Sequence, residues 1–121
     1  MAIAPHVKSL GTVLLLADRR QSETSRALKA AGYRVLMSFT PDHAVAICVN
    51  NNIEAVVLDQ EHFVVTENWS VAQSIKMIKA KICVVLVVRG KIVGRQLPAG
   101  IDAIVPEKDG HALVRTLKKI L

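Results

Sequence analysis

The stretch IEAVVLD, Ile53 to Asp59, runs through Val56, Val57 and Leu58 and then ends on a carboxylate. A short apolar run rich in β-branched residues and followed by polar ones (Gln60, Glu61, His62) reads as a strand covered on both faces. Burying a charge is costly, so the Asp at the end of such a strand needs a reason. The flanking sequence repeats the pattern. TVLLL (Thr12 to Leu16), RVLMSF (Arg34 to Phe39), ICVVLVV (Ile82 to Val88) and IDAIV (Ile101 to Val105) read as four further strands.

Helical patterns separate them. SETSRALKAAG (Ser22 to Gly32) has Ser22 as its cap, Leu28 and Ala31 on one face and Gly32 at its stop. Thr40 and Pro41 open PDHAVAICV as N-cap and N1, and Asn50, Asn51 and Asn52 close it. WSVAQSIKMIKA (Trp69 to Ala80) turns Val71, Ile75 and Ile78 inward, with Asn68 as cap and Trp69 as a packing residue. Asp109 caps a last helix whose stripe is Leu113, Leu117 and Ile120. Strand alternating with helix predicts an α/β fold, a (βα)5 doubly wound five-stranded parallel sheet. Ligands of such sheets bind outside the carboxyl ends of the strands, at the topological switch point. Asp59 ends the third strand and Asp18 follows the first, so both belong to that edge.

Composition narrows the function. A chain of 121 residues with 51% hydrophobic content suits a single domain over residues 1–121. Its longest apolar run, Ile82 to Val88, falls well short of the roughly 20 residues of a membrane span. MAIAPHVKS at the start has no apolar core with a cleavage site, so the expected location is the cytoplasm, away from membranes. Cys48 and Cys83 lack CxxC spacing and read as reduced core thiols. The formal charge of +6 is spread from Lys8 to Lys119. Only Arg19-Arg20, Lys76/Lys79/Lys81, Arg89/Lys91/Arg95 and Lys118-Lys119 are locally dense. One Trp, one Tyr and two Phe give no stacking platform, so no specific nucleic-acid partner is expected. His6, His43, His62 and His111 show no ligand spacing. ADRRQS after the first strand lacks the glycines of a nucleotide loop.

On VLLLADRR (Val13 to Arg20), AAGYRV (Ala30 to Val35), VVLD (Val56 to Asp59) and the order of elements, the chain resembles the response-regulator receiver family. These are the CheY-like phosphoacceptor domains of two-component signalling, of flavodoxin-like fold, and the resemblance runs from about Gly11 to Leu121. It implies a phosphorelay role in which Asp59 accepts a phosphoryl group. It further implies Mg²⁺ held by Asp18, Asp59 and the backbone carbonyl of Glu61. The implied partner is a sensor histidine kinase or another signalling protein, and a homodimer is compatible with it. No turnover enzyme is implied, at most self-catalysed phosphoryl acceptance and hydrolysis.

The departures from the family pattern are definite. Ala17 stands at the first acidic position, and Val88 stands where the family has the Thr or Ser that binds the phosphoryl group. Arg89 replaces a small residue and Ala103 the switch aromatic. Pro106-Glu107 replaces Lys-Pro, with Lys108 two positions late. KIVGRQLPAG (Lys91 to Gly100) is short and carries Gly94 and Pro98, so the fourth helix is expected to be shortened or absent. Arg19, Arg89 and Lys108 are candidate substitutes for the lost switch groups. A guanidinium of Arg89, Arg19 or Arg20 paired with Asp59 or Asp18 makes a locked site. Two readings therefore stand: an atypical phosphoacceptor, and a phosphorylation-independent pseudoreceiver that acts as a protein–protein interaction module.

Overall fold

The computed structural model describes residues 11–17, 23–59, 65–88, 100–106 and 110–121, with side chains throughout except in 65–70. Among the described residues there are five strands: β1 Thr12–Ala17, β2 Arg34–Ser38, β3 Ala55–Asp59, β4 Cys83–Val88 and β5 Ala103–Pro106. The helices are α1 Glu23–Ala30, α2 Pro41–Asn50, α3 Val65–Ile78 and α4 Gly110–Ile120. The strands form one sheet in the order β2-β1-β3-β4-β5, and every pairing is parallel. This is the expected doubly wound α/β architecture. None of the four helices lies between β4 and β5, where a shortened or absent helix was expected; residues 89–99 lie outside the described residues.

The continuous apolar runs make sense once both faces are followed. Alternate side chains of a strand point to opposite sides. Leu14, Leu16, Val56, Leu58, Val84 and Leu86 pack with Ala44 and Cys48 of α2 and Ala72 and Ile75 of α3. Val13, Leu15, Val57, Val85 and Val87 pack on the other face with Leu28 of α1 and Leu113 and Leu117 of α4. β1 and β3 sit in the middle, register partners Leu14 with Val56 and Leu16 with Leu58. Each fully buried Val or Leu contributes about 1.5–3 kcal/mol of transfer free energy, which is why the buried stretches of these two strands, residues 13–17 and 55–58, are wholly apolar.

Local chemistry sets the ends. The Gly32 amide donates to the Lys29 carbonyl at 3.0 Å and the Tyr33 amide to the Leu28 carbonyl at 3.1 Å, a Schellman close for α1. Gly32 takes φ +103° there, a left-handed conformation that costs a side chain about 1–2 kcal/mol. Thr40 caps α2 as expected, its hydroxyl accepting from the His43 amide at 3.3 Å, with Pro41 at the first helical position. Asn50 and Asn51 donate back to the carbonyls of Ala46 and Ile47, satisfying acceptors that the helix end leaves open.

Several expectations need correction. α3 begins at Val65, so Asn68 lies inside the helix and is not its cap. Phe39 lies beyond β2 and is 41% exposed. Ile53 and Glu54 lie outside β3, where the Glu54 amide donates to the Thr12 carbonyl at 3.0 Å and the Glu54 carboxylate accepts the Thr12 amide at 3.1 Å. Ile101 and Asp102 lie outside β5; the Asp102 amide donates to the Val84 carbonyl at 2.8 Å, and its carboxylate accepts the Val84 amide at 2.8 Å and pairs with Lys76 at 2.7 Å. Ile82 precedes β4, its carbonyl taken by the Lys76 ammonium. Ile78 and Ile120 sit in the last turns of their helices and are about 40% exposed instead of buried in the core. Ser22 and Asp109 lie outside the described residues, as does the side chain of Trp69.

Both cysteines are free thiols, Cys48 buried and Cys83 half-buried. Burial pushes the Cys48 thiol up to about 11, against the opposing charge of Lys79. Burial also raises Cys83, with Asp102 adding to it and Lys76 opposing. The thiolate is the reactive form. Alkylation at about pH 8 is therefore expected to label Cys83 first, and Cys48 only as the chain unfolds; equal rates at the two would contradict this packing. Folded Cys48 holds its proton to about 11, whereas an unfolded cysteine releases it near 8.5. Its contribution to stability is thus complete below about pH 8.5 and fades as pH rises through the folded value.

Candidate functional site at the β1/β3 switch point

The chain steps outward from β1 to β2 and then crosses back to place β3 on the other side of β1. The direction of winding reverses between β1 and β3, and their carboxyl ends flank the crevice where doubly wound sheets bind ligands. Ala17 and Asp59 are register partners at those two ends. Asp59 is only 4% exposed.

A buried carboxylate is tolerated when hydrogen bonds or opposite charge replace its hydration. α1 supplies such a bond. After β1 the chain starts its helix at the same edge of the sheet, and Thr24, in the first turn, donates its hydroxyl to Asp59 Oδ2 at 2.7 Å. This is a charge-assisted contact, among the stronger hydrogen bonds of a protein. Beside it a small cavity of about 20 Å³ lies between Thr24, Val87, Pro106 and Gly110. That volume holds a water molecule.

The ends of β4 and β5 at this edge are apolar. Val88, opposite Pro106 in the β4/β5 register, packs part-buried against the apolar cluster and offers no hydroxyl. Pro106 has no amide proton, and Ala103, at the start of β5 and away from this edge, packs with the core under α1 and α4. The departures at Ala17, Val88, Ala103 and Pro106 are thus present as apolar side chains in regular strands. Among the described residues no group of three His, Cys, Asp or Glu side chains comes together. His43 sits instead in the first turn of α2, its Nδ1 3.2 Å from the hydroxyl of Ser38 at the end of β2, which donates to the Thr40 carbonyl at 3.0 Å. His111 lies exposed on α4. Asp18, Arg19, Arg20, Glu61, His62, Arg89 and Lys108 lie outside the described residues.

Thr24 is the site residue that the sequence did not announce. It looks like any hydroxyl in a first helical turn, where Ser22 competes as the cap. The available signal is topological: a helix that follows the first strand must begin at the edge where the third strand ends.

No protein-family model matches this sequence, and no curated protein matches it significantly. Solved structures do match. A response regulator receiver domain protein (CheY-like) from Methanospirillum hungatei is 19% identical, with 92% of this chain and 93% of that one covered and a TM-score of 0.76. An orphan response regulator of H. pylori is 17% identical over 93% of this chain and 98% of that one, at a TM-score of 0.75. A response regulator from Thermotoga maritima is 19% identical over 91% and 96%, also at 0.75. At such identities the likeness is one of architecture. The β2-β1-β3-β4-β5 sheet, with helices packed on both faces and an aspartate at its switch point, is a CheY-like receiver fold.

Proposed function

We propose that residues 1–121 act as one receiver domain of two-component signalling, in which Asp59 accepts a phosphoryl group from a sensor histidine kinase or another signalling partner. The observation that carries this reading is the buried Asp59 carboxylate at the β1/β3 switch point, at the end of a strand that is otherwise wholly apolar. The likeness to solved receiver domains supports it. In the transfer, a carboxylate oxygen of Asp59 attacks phosphorus. The bond from phosphorus to the donor's nitrogen or oxygen breaks, and the donor leaves with that electron pair. Thr24 positions the nucleophile by holding Oδ2.

The donor set for Mg²⁺ is the Asp59 carboxylate, Asp18 and the main-chain carbonyl of Glu61. It is all oxygen, as this hard cation prefers, and Asp18 follows directly on Ala17, the register partner of Asp59. When bound, Mg²⁺ supplies neutralisation of phosphoryl charge. With Val88 where a hydroxyl is usual, one stabilising contact to that charge is missing, so acceptance is slow.

A second reading has its own observation. The Thr24 hydroxyl engages one oxygen of the buried Asp59 carboxylate, which suits a pseudoreceiver that binds its partner without chemistry, with Arg19, Arg89 or Lys108 replacing the switch groups. Incubation with Mg²⁺ and acetyl phosphate followed by intact mass separates the two. The phosphoacceptor reading expects the mass of one phosphoryl group to be gained, and lost again in Asp59→Asn. No gain in a folded protein would leave the interaction module.

A further inference from the structure

The opposite edge of the sheet carries a second surface that the Asp59 chemistry does not use. β3 and β4 begin there, Ala55 beside Cys83. α3 and α4 both end there, and the Cys83 thiol contacts the Ile120 carbonyl at 3.9 Å. Between them runs an open groove of about 600 Å³ with Ile82, Cys83, Ile120 and Leu121 along it and Lys79 and Lys81 at its side. Lys118 and Lys119 immediately precede Ile120 in the last turn of α4 and are exposed.

The cations have an ordinary role, since lysines near helix C-termini offset the negative end of the dipole. That role does not account for the apolar side chains beside them. Ile120 is 39% exposed, Leu121 50% and Ile78, just before Lys79, 40%. The groove's carboxylate, Glu54, is engaged with the Thr12 amide. Lys76 is neutralised by Asp102 at 2.7 Å and adds nothing to the balance. Lys79, whose ammonium also donates to the Asn51 carbonyl at 2.6 Å, and Lys81 thus flank an apolar trough, with Lys118 and Lys119 next to its Ile120 along α4. Complementarity in charge and in apolar surface both point to one kind of occupant. The trough is shallow and open but has room for inserted side chains, whereas a bilayer surface offers none to insert. Among the described residues no aromatic ring lines it, so they offer no stacking surface for bases.

We propose that this amino-edge groove docks an acidic amphipathic segment of a partner protein, apolar side chains in the trough and carboxylates on Lys79, Lys81, Lys118 and Lys119. The proposal is independent of phosphoryl transfer at Asp59, and Asp59→Asn is expected to leave docking unchanged. The test uses a fluorescein-labelled peptide of Glu and Leu at helical spacing, and its Lys/Leu counterpart, with binding read by anisotropy and amide chemical shifts. The Glu/Leu peptide should bind, shift the amides of residues 79–83 and 118–121, and weaken as salt is raised. Lys81→Glu and Lys119→Glu should each reduce affinity by about fivefold, with Lys81→Gln as the milder variant. Leu121→Asp should reduce it as well, and circular dichroism checks that each variant is folded. Equal binding of the Lys/Leu peptide, shifts located elsewhere, or variants that bind unchanged would overturn the proposal. So would binding to phosphatidylserine vesicles, to an oligonucleotide or to a second copy of this chain in place of the peptide.

Discussion

Leu58→Ala is expected to cost about 2–5 kcal/mol of folding stability. Leu58 is fully buried, stands beside Leu16 on β1 and Leu86 on β4, and belongs to the core under α2 and α3. A central strand cannot move to close the void, because its neighbours are hydrogen-bonded to it on both sides. The substitution therefore removes transfer free energy and leaves a cavity. A domain of this size has on the order of 5–15 kcal/mol to lose, so the variant approaches the limit of folding. Urea unfolding should show a lower midpoint at an unchanged slope. A loss below about 1 kcal/mol, within the range of ordinary surface substitutions, would mean that β3 is not covered on both faces.

Thr24→Val should be the second large effect, and it acts on the site. Valine keeps the shape of threonine and removes the donor that holds Asp59 Oδ2 at 2.7 Å. Loss of a hydrogen bond to a buried charged group costs about 1.5–3 kcal/mol. Thr24→Ser retains the hydroxyl and should recover most of that. The double-mutant cycle with Asp59→Asn isolates the contact, with a coupling of about 0.5–3 kcal/mol expected. The kinetic consequence separates positioning from mere stability. Phosphoryl acceptance in Thr24→Val should change in rate even where the variant is fully folded, and Thr24→Ser should restore it. Additive stabilities and an unchanged rate would remove Thr24 from the site.

The contrast between Leu58 and Thr24 shows what the chain reveals on its own. Leu58 and its neighbours were legible because both faces of β1 and β3 are covered, which leaves an unbroken apolar run in the sequence. The α1 stop was legible because Gly32 is a local backbone requirement. The start of α3 was not, since Val65 and Thr66 are β-branched residues of modest helix propensity, and their helical state is set by tertiary context. Ile78 and Ile120 followed the helical period but are about 40% exposed, and periodicity carries no information on where a packed layer ends. At the site, Asp59 stood out as a charge at the end of a buried strand, whereas the Thr24 bond joins residues 35 apart in sequence and exists only in the folded chain.

The most direct test of the central claim is to trap the phosphoryl group where it is proposed to sit. After incubation with Mg²⁺ and acetyl phosphate, borohydride reduces an aspartyl phosphate to homoserine, and peptide sequencing by mass reads the position. The account predicts homoserine at position 59 and nowhere else, absent without phosphodonor. Homoserine at another aspartate, or none from a folded protein under conditions that phosphorylate a receiver domain run alongside, would contradict it.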